Sequence, residues 1–135
     1  MRLAVCLSLL AIVACGGSSG GGPTQPRVAI LTITSGGIST QTGGSATFSV
    51  PNPGMIQFVN HDSVAHAITV ATNSPTDCNA LNTGSIAVGA STQNISVRNS
   101  TMADEVCSFS DSTNPSPAFT GSVTVLTTST GGGGY

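Results

Sequence analysis

The chain has 135 residues, 6% of them charged, no Lys, and a formal net charge of −2. That length leaves room for one domain once the two ends are set aside. Beyond the first fifteen residues only Arg27 and Arg98 stand against Asp62, Asp77, Asp104, Glu105 and Asp111, and two scattered cations cannot release counterions from phosphates, so nucleic acid is excluded as a partner.

Residues 1–14 read MRLAVCLSLLAIVA, a positive start at Arg2 and then twelve residues, Leu3 to Ala14, almost all apolar. As a helix that stretch reaches about 18 Å, short of a bilayer core of about 30 Å. It therefore reads as an export signal rather than a span. Ile12-Val13-Ala14-Cys15 resembles the lipobox of bacterial lipoproteins. The resemblance implies cleavage before Cys15, lipidation of Cys15, and attachment to a membrane through that lipid. The competing reading is an ordinary secretory signal with an incidental Cys. Residues 15–26 continue with the run Gly16 to Gly22 and Pro23, a composition expected to act as a tether because it cannot bury enough surface to offset its ordering entropy. Gly16 in place of Asp resembles the outer-membrane sorting pattern of Gram-negative lipoproteins. The expected location is thus the cell envelope, periplasmic or surface-exposed, at the outer membrane if the cell is Gram-negative. Residues 128–135, SerThr then four Gly and Tyr135 after Thr128, are expected to be a flexible tail.

Residues 27–127 hold everything that can form a core. In chain order, Arg27 to Thr34, Ala46 to Val50, Met55 to Val59, His66 to Ala71, Ser85 to Val88, Asn94 to Arg98, Glu105 to Phe109 and Gly121 to Leu126 read as short strands. They alternate faces or are rich in Val, Ile, Thr and Phe, with Gly, Pro, Asn and Ser between them. The pattern predicts an all-β sandwich or barrel of about eight strands. No window after the leader sustains helical spacing.

Of the four Cys, Cys6 leaves with the leader and Cys15 is the lipid site. Cys78 and Cys107 remain. In an exported domain they are expected to pair, and a closed loop of about 30 residues then contributes roughly 3–4 kcal/mol in the chain-entropy account. The rival is that one or both are thiolates ligating a metal.

Three segments carry a further resemblance. Phe58-Val-Asn-His-Asp-Ser-Val-Ala-His66-Ala-Ile is similar to the cupredoxin segment that supplies the first copper-binding His. Cys78 to Ser91, with Gly84-Ser-Ile, looks like that family's middle region. Cys107-Ser-Phe-Ser-Asp-Ser-Thr-Asn-Pro115, followed by Phe119-Thr-Gly-Ser-Val-Thr-Val125, resembles its closing part. The resemblance spans residues 28–127 and implies a plastocyanin- or azurin-like Greek-key β-sandwich of about 7–8 strands. A blue-copper site needs two imidazoles, a thiolate and a weak axial ligand. By the resemblance His66 matches the first His and Cys107 the thiolate. Ser110 and Ser112 stand where the second His is expected, and Phe119 stands at the axial Met position. The copper site is therefore expected to be degenerate and the domain to carry no cofactor.

Three functions remain in view. One is a non-catalytic, lipid-anchored binding or structural module that contacts another envelope protein. The second is a type-1-like copper electron carrier using His66, Cys107 and His61. The third is a self-associating surface protein, since low charge leaves sheet edges poorly defended. Plainer readings stand beside these: His66 as a half-buried His bonded to backbone, His61 as an exposed turn residue, Asp62 as a turn stabiliser next to Asn60. No Ser-His-carboxylate constellation is evident and no residue is assigned a catalytic role, so an enzyme is not expected. Asp104 and Glu105 would point to opposite faces of a strand. Asn94-Ile-Ser and Asn99-Ser-Thr match the glycosylation pattern by chance, given the leader.

Overall fold

Alternation along each strand decides what lies inside. In β7, Glu105–Asp111, the residues Glu105, Cys107, Phe109 and Asp111 are buried while Val106 and Ser108 face out. In β4, Gly54–Asn60, the buried set is Gly54, Ile56, Phe58 and Asn60. This is the two-residue period of a strand with one face on a core. The computed structural model describes residues 28–127, so the leader of residues 1–14, the tether of 15–26 with Cys15, and the tail of 128–135 lie outside the described residues.

The remaining strands are β1 (Val28–Thr34), β2 (Gly37–Thr40), β3 (Thr47–Val50), β5 (Ile68–Val70), β6 (Ile95–Val97) and β8 (Thr120–Val125), with short 3₁₀ turns at Thr76–Leu81 and Pro117–Phe119. They form two four-stranded sheets, β2-β1-β4-β6 and β3-β8-β7-β5. The result is an all-β Greek-key sandwich. Each sheet is mixed: β1 runs parallel to β4 from Val28↔Met55 to Ile33↔Asn60, and β3 runs parallel to β8 from Thr47↔Ser122 to Val50↔Val125. Leu31, Ile33, Ile56, Phe58, Ile68, Val97, Phe109, Val123 and Val125 fill the space between. Phe58 of one sheet meets Phe109 of the other edge-on at 5.5 Å, a contact worth about 0.5–1.5 kcal/mol beyond its area.

Two elements differ from expectation. Ser85 to Val88 forms no ladder; it contributes a single bridge, Ile86 to His66. The Ile86 carbonyl accepts both the His66 N–H and the Asn60 side-chain amide, which also reaches the Ala87 carbonyl, and Gly89 turns the chain at φ +72°. Conversely, β2 is a strand that alternation did not reveal, because Gly37–Thr40 carries only one large apolar residue, Ile38. A tight return at Ser35-Gly36 lays it on β1. Gly37 takes φ +126°, and a Cβ there would stand 2.2 Å from the Ala118 carbonyl oxygen. Both facts require glycine. Gly37→Ala is expected to cost at least about 1–3 kcal/mol, measured as a shift of the urea midpoint; an unchanged midpoint would show that this turn tolerates a side chain.

The Cys78–Cys107 disulfide is formed, with S–S 2.02 Å and a sequence separation of 29. It ties the first 3₁₀ turn to the middle of β7. Two buried Asn side chains fix the loops at the ends of the sandwich. Asn60 does so at one end. Asn99 does so elsewhere, its amide nitrogen donating to the carbonyls of Ala103 and Val125. That commitment leaves no free amide at the Asn99-Ser-Thr pattern.

Candidate functional site

The site begins with Asn60, the last residue of β4, which is fully buried. Its Nδ2 donates to the carbonyls of Val64 (2.8 Å), Ile86 (3.0 Å) and Ala87 (3.2 Å), and its Oδ1 accepts the Asp62 N–H at 2.8 Å. Backbone bonds from Asn60 to Ala90 and from Gly89 back to Asn60 close the arrangement. A buried polar group so fully paired holds its neighbours in one geometry. Here it sets the Asp62 to His66 loop against the 86–90 loop.

His66 is held by backbone bonds in both directions with Ile86, and its ring is fully buried. Nδ1 lies 2.5 Å from Asp111 Oδ2 and Nε2 lies 3.1 Å from Asp62 Oδ2. The ring stacks on Phe119 at 5.4 Å between centroids, 17° from parallel. Asp111, at the end of β7, is also fully buried. Its Oδ1 accepts from Ala67 N (3.2 Å), Thr113 N (2.9 Å) and Thr113 Oγ1 (2.7 Å).

Burial pushes the Asp111 carboxyl up, but the hydrogen bonds from His66, Thr113 and Ala67 outweigh it and hold the group below the usual carboxylate range. Asp62 is likewise lowered, first by the Ser63 N–H; burial opposes this and the His66 bond adds to it. A carboxylate oxygen thus faces each nitrogen of one imidazole. A ring nitrogen that carries a proton donates to the carboxylate oxygen facing it. The cluster is an Asp62–His66–Asp111 triad built around a fully buried imidazole ring.

The sequence-predicted residues are distributed as follows. His66 is in the triad, its backbone bonded to Ile86 and its ring bonded to two carboxylates; the expectation that it is half-buried is corrected, since it is fully buried. Phe119 lies flat on its ring. Ser112 is exposed and its Oγ donates to the Ala67 carbonyl at 3.1 Å. Ser110 pairs in the ladder with Thr69 and Thr120, on the face opposite Asp111. His61 is exposed, its backbone N–H on Ile33. Asp62 stabilises its turn as expected and also reaches His66. Cys107 lies four residues before Asp111 on the same face of β7, roughly 13 Å away along the strand. Its sulfur is bonded to Cys78.

A trigonal copper set of two imidazoles and a thiolate is therefore not brought together by these residues: both nitrogens of His66 are engaged, and the sulfur is distant and covalently tied. The functional residue that sequence reasoning missed is Asp111. Its signal was present, as the inward position in the alternation Glu105, Cys107, Phe109, Asp111, but the strand was expected to end at Phe109.

No protein-family model matches the sequence, and no curated protein matches it. Solved structures match in fold. A purple cupredoxin from Nitrosopumilus maritimus is 18% identical over 72% of this chain and 98% of its own, with a TM-score of 0.52. Oxidised plastocyanin from Dryopteris crassirhizoma is 14% identical over 72% of this chain and 99% of its own, with a TM-score of 0.54. A copper-containing nitrite reductase from Thermus scotoductus is 14% identical, with a TM-score of 0.55; the match covers 82% of this chain and 25% of that much longer one. These likenesses show the fold, a cupredoxin-like β-sandwich. Residues 28–127 form a cupredoxin-like domain.

Proposed function

We propose that the protein is a non-catalytic, lipid-anchored module of the cell envelope whose cupredoxin-like domain works without copper. The observation that carries this reading is the triad. His66 has an oxygen on each ring nitrogen, so binding a copper ion would require breaking one of these contacts and leaving a carboxylate oxygen without it. The disulfide removes the other expected ligand. The same geometry argues against hydrolysis, since an imidazole that serves as general base needs one nitrogen on a nucleophile.

Anchoring through Cys15 and export by residues 1–14 rest on the lipobox resemblance. The contact surface in this reading is the outer face of the β3-β8-β7-β5 sheet. Thr69, Ser110 and Thr120 form one cross-strand row there, and Ser108, Ser122 and Thr47 the next. A broad array of hydroxyls without charge suits a polar, neutral partner reached by hydrogen bonds. Self-association through sheet edges is less favoured. The four edge strands, β2, β6, β3 and β5, are only three or four residues long, and short edges offer little template for pairing.

Titrating the purified oxidised chain with Cu(II) tests the reading. The expected result is no intense thiolate-to-copper band in the visible region. A stoichiometric blue band would establish the electron-carrier alternative instead.

A further inference from the structure

A second cluster of ligand-type side chains lies toward the other end of β7 and takes no part in the His66 triad. Glu105 and Cys107 project inward from β7, and Cys78 reaches them from the 3₁₀ turn Thr76–Leu81. One donor atom from each of the three lies within 4.8 Å of the others. Cys78 and Cys107 are fully buried and Glu105 is 5% exposed.

The carboxyl group of Glu105 is anomalous. Oε2 has no hydrogen-bond partner. Oε1 faces Cys78 Sγ at 3.8 Å, but a sulfur in a disulfide has no hydrogen to donate. Burial, and secondarily the charge of Asp77, push this carboxyl above the usual range. A buried acid with neither a cation nor a donor is costly, and a native fold that keeps one calls for an explanation. With Val, Leu or Met at position 105 the core would lose nothing that this contact supplies. What the position does supply is an oxygen ligand aimed at two sulfurs.

We propose that reduction of the Cys78–Cys107 bond turns this cluster into a buried binding site for one thiolate-seeking divalent ion of the Zn²⁺ class, with Cys78, Cys107 and Glu105 as its protein ligands. The reductant is a dithiol. Its two sulfurs become a disulfide, and its two electrons and two protons pass to Cys78 and Cys107 as thiols. The metal ion then displaces both thiol protons and any proton on Glu105. Two thiolates and a carboxylate are a set that Zn²⁺ takes readily, at about 2.3 Å to sulfur and about 2.0 Å to oxygen. Across a tetrahedral ion of that size the sulfurs stand about 3.8 Å apart, so the two must separate once the bond is reduced. Cys107 is fixed by its ladder pairing with Val123. Cys78 sits on a six-residue 3₁₀ turn, and that turn is the element able to yield.

The test uses the full chain with Cys6→Ser and Cys15→Ser, so that only this pair supplies thiols. Oxidised and dithiothreitol-reduced protein, the latter freed of reductant without air, are titrated with Cd²⁺ and followed by the ultraviolet thiolate-to-cadmium band; Zn²⁺ is then titrated by calorimetry. The expected result is one ion per reduced chain, none per oxidised chain, and affinity lower by at least about tenfold in Glu105→Gln. Far-UV circular dichroism on the same samples covers the case in which the reduced chain unfolds, where metal addition should restore the β signal. No band on reduction, an equal response from the oxidised chain, an unchanged affinity in Glu105→Gln, or uptake by a chain that stays unfolded would each overturn the proposal. The copper titration of the oxidised chain is independent of all four outcomes.

Discussion

Replacing Asp111 with Ala is expected to lower the stability of the domain by about 3–5 kcal/mol at neutral pH, since several hydrogen bonds to one buried carboxylate are lost together. The substitution strips the Nδ1 partner from a fully buried imidazole. It also orphans the Ala67 N–H and both donors of Thr113. Removing one side of a buried hydrogen-bonded pair costs more than the pair itself contributes, because the remaining polar group stays desolvated and unpaired. The double replacement His66→Leu with Asp111→Leu should therefore recover part of the loss. Asp111→Asn separates charge from shape. Because the native Asp111 carboxyl is held below its ordinary value, its contribution is complete above the unfolded value of about 3.9 and fades as pH falls through the lower folded value. The wild-type chain should thus lose stability in acid below about pH 4, and Asp111→Asn should flatten that limb. Urea unfolding followed by circular dichroism reads both effects. A loss under about 1 kcal/mol in Asp111→Ala would mean that the triad does not hold these loops together in solution.

Removing the disulfide as Cys78→Ala with Cys107→Ala should be nearly as damaging. The bond closes a loop with a sequence separation of 29, which corresponds to roughly 3–4 kcal/mol of restricted unfolded-state entropy. For a domain of about 100 residues that is a fall in melting temperature of about 15–30 °C. Domains of this size have only about 5–15 kcal/mol in total, so one covalent bond supplies a large share. Calorimetric melting of the double variant against the oxidised chain measures it. A shift of only a few degrees would show that the denatured chain is already held compact without the bond.

Much of the fold was legible because it is written in short-range alternation. β1, β3, β4, β7 and β8 were placed to within one or two residues, the limit set by where strand ends fray. The pairing of Cys78 with Cys107 followed from elimination and compartment. The Asn60 and His66 segment carried the resemblance that pointed to the cupredoxin-like sandwich. The site was harder, since it depends on register between strands distant in sequence. Asp111 meets His66 only because β5 and β7 pair with Ile68 opposite Asp111, and nothing local to either residue announces that register. The order of motifs placed Cys107 beside His66. The period of two keeps residues 107 and 111 on the same inward face, so a four-residue displacement along the strand leaves the pattern looking correct. Ser85 to Val88 misled for a similar reason: its sequence alternates, but pairing stops at the single bridge between Ile86 and His66, and Val88 is exposed.

The parallel union of β3 with β8 joins residues 47–50 to 122–125, so the second sheet has no neighbour for β3 until the final strand has arrived. Contacts this remote in sequence make for slow assembly, on the order of milliseconds to seconds. A chain that emerges from its N-terminus, in synthesis or otherwise, would consequently keep this sheet open until Val125 is out, since β3 has no partner before then.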